Sequence, residues 1–178
     1  SLISLQEDGL TKMFRRPVLW SQENQITGDE IHFLINKETE EMDSLKVLRN
    51  SFMIQKDSTG YNQTKGRKIL AQFKDNDIDQ IDVSGNGEVL QFVRNEEDEL
   101  IGITKMKCST IHLTMEEKEI STVEFNGKPE GKTYPEEKLH ENDRKLKGFT
   151  WRIDEKPMKP KDIFIHDPRD VALMRKAA

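Results

Sequence analysis

The sequence predicts an all-β protein: stacked antiparallel strands forming a β-jellyroll (β-taco) of repeated hairpins, followed by a short helical C-terminal tail. Three observations predict it. Apolar and polar residues alternate with period two in three short runs, one motif recurs along the chain, and glycines recur at nearly the same interval.

The alternation comes first. Ile31, Phe33 and Ile35 alternate with His32, Leu34 and Asn36; Ile69, Ala71 and Phe73 with Leu70, Gln72 and Lys74; Ile111, Leu113 and Met115 with His112, Thr114 and Glu116. Each run reads as a half-buried strand. Each is followed by a charged turn, "NKETEE", "KDND" or "EEKE", and then by the motif, seen in "EMDSLKVLRN", "DNDIDQIDVSGNGEV" and "EISTVEFNGKP". Its first apolar residues, Met42, Ile78 and Ile120, stand 36 and 42 positions apart. Strand, polar turn and strand make a hairpin, so the repeat is a hairpin repeat.

Gly28, Gly66 and Gly102 precede the three hairpins at intervals of 38 and 36. Within the motif, two residues separate the first two apolar positions and one separates the next two. Such a break turns side chains over or marks a bulge, and lets a long strand bend round a corner. Bent strands with glycines at the corners wrap a sheet into a trough. "KMKCST" lengthens the third unit and reads as a further bulge.

After Gly127 the alternation ends and prolines appear at 129, 135, 157 and 160. Residues 1–130 are therefore assigned to the β repeats and 131–178 to a Pro- and charge-rich accessory tail. Pro135, with Glu136 and Glu137 after it and Lys145 and Lys147 before Gly148, predicts a helix of about three turns. "HDPRDVALMRKAA" predicts another, with Asp167 as N-cap and Pro168 in its first position.

Composition limits the function. Hydrophobic and charged residues are each 34% of the 178-residue chain, which suits a thin or elongated body better than a thick globule. The net charge of -5 argues against a nucleic-acid partner, because phosphate contacts need a basic surface. "RKLKGFTWR" and "MRKAA" read as solvated charge. The single Cys108 reads as a small buried hydrophobe and leaves the redox compartment open. No apolar run approaches a membrane span, and "SLISLQEDGL" has neither the basic start nor the apolar middle of a signal peptide.

No nucleophile elbow, P-loop, HExxH or CxxC is present. His32, His112, His140 and His166 are scattered, so no metal or cofactor is expected. The carboxylates around residues 75–79 and 116–119 read as charged hairpin tips; an EF-hand register fails there because loop positions 4 and 7 are apolar and the glycine comes too late. No enzyme is expected. What remains is the trough, whose inner face is assigned Ile31, Phe33, Ile69, Phe73, Ile81, Val83, Ile111, Leu113, Val123 and Phe125. These residues either close a core or line a groove for acyl chains, where each shielded CH₂ is worth about 0.8 kcal/mol.

"QITGDEIHF" with "MDSLKV", then "YNQTKGRKILAQFKDNDIDQIDVSGNGEVLQF", "ELIGITKMKCSTIHLTMEEKEISTVEFNGKPEGKTYP" and "LKGFTWR", resemble the OstA-like proteins, relatives of the lipopolysaccharide-transport protein LptA, in their Bacteroidetes-type form. The resemblance spans roughly residues 17–157. It implies a β-jellyroll in the periplasm that binds lipopolysaccharide (lipid A) in an apolar groove and joins other Lpt-type modules, or itself, through edge strands. It brings no enzymatic residues. The chain enters this pattern midway, at "FRRPVLW", which reads as a fragment, and the C-terminal tail departs from the enterobacterial LptA pattern. Three functions are thus in view: the periplasmic carrier, a non-carrier cell-envelope scaffold with a closed β core, and a glycan-binding or glycan-cutting β-roll. The few aromatics suited to sugar stacking, Trp20, Trp151, Tyr61 and Tyr134, disfavour the third.

Overall fold

In the computed structural model, which describes residues 2–5 and 9–157, eleven strands form one continuous antiparallel sheet. They are β1 (Leu2–Leu5), β2 (Leu10–Phe14), β3 (Val18–Ser21), β4 (Asn24–Thr27), β5 (Glu30–Ile35), β6 (Met42–Lys56), β7 (Tyr61–Lys74), β8 (Asp77–Arg94), β9 (Leu100–Glu116), β10 (Glu119–Asn126) and β11 (Glu130–Tyr134). The three expected hairpins are β5–β6, β7–β8 and β9–β10, with the expected residues at their turns.

The sheet is folded on itself. Six pairs of consecutive residues adopt left-handed backbone: Asp75–Asn76 and Glu117–Lys118 form hairpin tips, and the other four are Arg15 and Arg16, Arg49 and Asn50, Gly85 and Asn86, Gly127 and Lys128. These four stand at the same point of every second pass of the chain, between β2 and β3, in β6, in β8 and between β10 and β11, and turn it sharply, interrupting the ladder between Leu48 and Ser51 and between Ser84 and Gly87. On one side of this line lies a first limb, ordered β1-β2-β5-β6-β7-β8-β9-β10. On the other, a second limb runs β3-β4-β6-β7-β8-β9-β11. The long strands β6 to β9 belong to both.

The motif's irregular spacing has a different job from the corner. In each hairpin the second strand carries one extra residue near the tip: Asp43, Asp79 and Ser121 lie opposite no partner. These are three equivalent bulges, and the bend lies several residues further along. Gly28 and Gly66 permit close approach at the corner, since a Cβ there would fall 2.4 Å from Val47 Cγ1 and 2.5 Å from Val83 Cγ1. Gly102 is not their counterpart. Its missing Cβ makes room for Thr133 and Tyr134, where β11 joins β9.

The tail corrects the expected helix. From Pro135 the chain makes short 3-10 turns at Glu136–Lys138, Glu141–Arg144 and Ile153–Glu155, and no α-helix occurs among the described residues. Leu139 and Leu146, the two apolar positions of the supposed helix, are seven apart. That spacing would put both on one face of a helix, but the chain between them is partly extended, with Leu139 and Lys145 in β backbone, and both leucines pack on the sheet. Residues 130–134, most of them assigned from sequence to the tail, pair with β9 as strand β11 of the sheet, and Leu139, Leu146, Phe149 and Trp151 beyond them pack against the outer face of the second limb. The second predicted helix, at 166–178, falls outside the described residues.

Candidate functional site: the interior between the limbs and its mouth

Strand pairing lines up the inward side chains of the first limb in rows. One runs Met13, Ile31, Val47, Ile69, Val83, Ile111, Phe125, and the next Thr11, Phe33, Leu45, Ala71, Ile81, Leu113, Val123. All ten residues assigned from sequence to the inner face belong to this one apolar cluster. Ile31, Phe33, Ile69, Ile81, Val83, Ile111 and Leu113 are at most 1% exposed. Phe73, Val123 and Phe125 are half-buried; the latter two lie on edge strand β10.

The facing residues come from the second limb: Leu19, Ile26, Met53 and Val89. Sequence reasoning missed them. They sit in "VLWS", "NQIT", "SFMI" and "EVLQFV", where burial on both faces erases the alternation that marks a half-buried strand. Cys108 belongs to the same cluster; burial pushes its thiol above its ordinary pKa, and Sγ donates to Thr110 O at 3.1 Å. Its burial matches the small buried hydrophobe expected.

The mouth opposite the corner is ringed by hairpin tips. Two contacts cross it: the Gln22 side-chain amide donates to Asp77, and Gln55 Nε2 donates to Lys118 O at 3.1 Å. A cavity of about 600 Å³ opens there, bounded by residues 22–24, 55–57, 91–95 and 117–121. At its rim Arg94 holds Asp57 through two bonds of 2.8 and 3.1 Å. Burial raises the Asp57 carboxyl, but the hydrogen bonds from Arg94 and Thr59 outweigh it and leave the group below the ordinary carboxylate value.

On the outside of the second limb a second cluster gathers Phe52, Ile54, Leu90, Phe92 and Ile103 under Leu139 and Leu146 of the tail, with Phe149 and Trp151 packed against it. Two buried glutamines grip the tail's backbone. Gln25 Nε2 donates to Thr150 O at 2.8 Å and its Oε1 accepts from Arg152 N at 2.6 Å; Gln63 does the same with Arg144 O at 2.8 Å and Leu146 N at 2.7 Å. Each side-chain amide supplies the donor and acceptor that a neighbouring strand would. The basic residues of "RKLKGFTWR" are accordingly not all solvated: Arg144 binds Leu139 O and Glu136 O, and Arg152 binds Glu155 and Arg16 O.

The histidines on the first limb's outer face pair with carboxylates, His32 with Glu30 and His112 with Asp82. The hydrogen bond from His32, aided by Arg49, lowers the Glu30 pKa against the cost of burial. No group of three or more potential metal ligands occurs among the described residues.

One antiparallel sheet folded along a line of left-handed corners, its inner rows sharing an apolar lining, defines an LptA-like β-jellyroll. The chain is similar to the crystal structure of LptH, described as the LptA homologous periplasmic component of the conserved lipopolysaccharide transport device from Pseudomonas aeruginosa. The TM-score is 0.56 at 10% identity, over 75% of this chain and 91% of that one. No protein-family model and no curated protein matches the sequence.

Proposed function

We propose that this chain is a periplasmic module that binds and carries lipopolysaccharide, shielding the acyl chains of lipid A between its limbs. The observation that carries the reading is the pair of inward rows, apolar at nearly every position, that run across seven strands toward the edge of the sheet. The sheet joins the limbs along the corner line, while the mouth is crossed by the exposed contacts of Gln22 and Gln55. An acyl chain entering there replaces one set of dispersion contacts with another. The motifs quoted above support the Bacteroidetes-type OstA-like assignment. Pairing with like modules is supported by edge strand β10, whose inward Val123 and Phe125 remain half-buried, ready for a strand placed beside them.

A second reading has its own observation. The inner residues at 0–1% exposure already form a closed core, as a cell-envelope scaffold would have. Photocrosslinkers placed at Phe33, Phe73 and Phe125 separate the two: the carrier captures lipid A there and not at Leu70 or His112 on the outer face. Equal capture at both sets, or none, leaves the scaffold.

A further inference from the structure

The inner face of the second limb changes character toward the mouth. Deep in the fold its cross-strand row includes Leu19, Ile26, Met53 and Val89, but two residues further out the row becomes Ser21, Asn24, Gln55, Asn62 and Gln91. The cavity at the mouth is thus lined by amides, with Gln22 and Asn95 added at its rim. One of these is unsatisfied. Asn24 is 5% exposed, and its Oδ1 accepts no hydrogen bond although the side chain faces the cavity. A buried acceptor without a partner is costly, and a small rotation of this side chain at the cavity wall brings the oxygen to a ligand's donor.

From these observations we infer that the mouth cavity is a binding site for the hydroxyl groups of a neutral saccharide. The chemistry of the lining narrows the ligand. Glu23, Asp57, Asp98, Glu117 and Glu119 face Lys56, Arg94 and Lys118, five carboxylates against three cations, and Arg94 is already held by Asp57. Such a lining repels phosphate. The amide row gives an acyl chain a polar lining instead of an apolar one, and no metal-binding cluster is present among the described residues. A polyol fits, because each planar amide offers a donor and an acceptor side by side, matching neighbouring hydroxyls. The volume, about 600 Å³, lies within the range of small-molecule sites. The inference rests on the carrier reading only for what the saccharide is attached to.

The test uses soluble sugars without acyl chains, so it stands apart from lipid capture. Side-chain amide signals of Asn24 and Gln91 are followed by NMR while maltotetraose, mannotetraose or chitotetraose is added to the chain. Saturable shifts are expected with neutral sugars, weaker ones with glucose 6-phosphate. Asn24→Ala and Gln91→Ala should each weaken binding about tenfold or more. Asn24→Ala should keep its melting temperature, since the lost oxygen has no partner to forfeit; Gln91→Ala provides an independent check. Absence of shifts with all three neutral sugars overturns the inference, as does tighter binding of the phosphorylated sugar or unchanged binding in both variants. Lipid A capture at Phe33 can survive any of these failures, and its failure leaves the sugar result standing.

Discussion

Between the limbs, Phe33, Leu45 and Ile81 meet Leu19, Ile26 and Met53 through apolar contact, and the mouth above them is crossed by the solvent-exposed amides of Gln22 and Gln55. Outside the second limb, Ile54, Leu90 and Ile103 are covered by Leu139 and Leu146, and there Gln25 and Gln63 fasten the covering chain by four buried or partly buried hydrogen bonds. The two clusters use the same residue types and differ in how they are closed. Dispersion contacts do not discriminate between a side chain and an acyl chain, so the inner cluster can exchange partners. Directional bonds in a dry setting cannot be exchanged without leaving polar groups unpaired. On the proposed carrier reading, the second limb thus has a sealed face on one side and a replaceable lining on the other.

The largest effect that would sharpen this contrast comes from truncating one large side chain in each cluster. Phe33→Ala should cost about 3–5 kcal/mol and Leu146→Ala about 2–5 kcal/mol in urea unfolding. Lipid A should restore part of the first loss, because a ligand that binds only the folded state stabilises it and here fills the space vacated. It should restore none of the second. Equal rescue of both, or of neither, removes the distinction between a replaceable and a sealed core.

Next in size is the clamp itself. Gln63→Ala leaves Arg144 O and Leu146 N without their partner and should cost about 1–3 kcal/mol. The signature is local: hydrogen exchange should speed at Leu146 N while Ile69 and Ile111, in the inner cluster, keep their protection relative to the global stability. Loss of protection across the whole sheet would mean that the tail is a structural part of both clusters.

These two regions were also unequally legible. The first limb has one solvated face, so Ile31, Phe33, Ile69, Ala71, Ile111 and Leu113 alternate with polar residues and declare themselves. All ten inner-face assignments rest on that limb. The second limb is covered by the first limb on one side and by the tail on the other, so "VLWS" is buried at every position and "SFMI" likewise, and no period survives to be read. Gln25 and Gln63 look like surface residues in sequence; their role appears only once the tail, more than 80 positions away, is laid beside them. The proline-rich composition of the tail signalled the end of the repeats without signalling what it covers. The corners were half visible: Gly85 and Gly127 mark two, while Arg15 and Arg49 take the same backbone without a glycine to betray it.

A smaller effect separates the rim of the mouth from the interior. Asp57→Asn removes the charge that Arg94 binds, in a pair 12% and 18% exposed, and should cost about 1–2 kcal/mol at neutral pH. Because the folded state holds the Asp57 carboxyl below its ordinary value, the unfolded chain takes up its proton first on acidification. The stabilisation is complete above the ordinary carboxylate pKa and disappears as pH falls through the lowered one. The difference between wild type and variant should therefore shrink on the acid side in chemical unfolding measured against pH. A constant difference would show that the variant acts by packing instead of by charge.

An effect of similar size tests the corner that makes the two regions possible. Gly85 sits at φ +78°, and a Cβ there would meet Arg67 Cβ at 2.8 Å. Gly85→Ala should cost about 1–2 kcal/mol for the left-handed backbone, plus whatever the crowding adds. Arg15 and Arg49 carry side chains in the same conformation at the equivalent corners, so the strain itself is tolerable. The excess should come from Arg67 and should fall when Arg67→Ala is combined with it, giving a favourable coupling in a double-mutant cycle. Strict additivity would place the cost in the backbone alone. A loss far above this range would mean that this one turn holds the limbs together more than the interior they enclose.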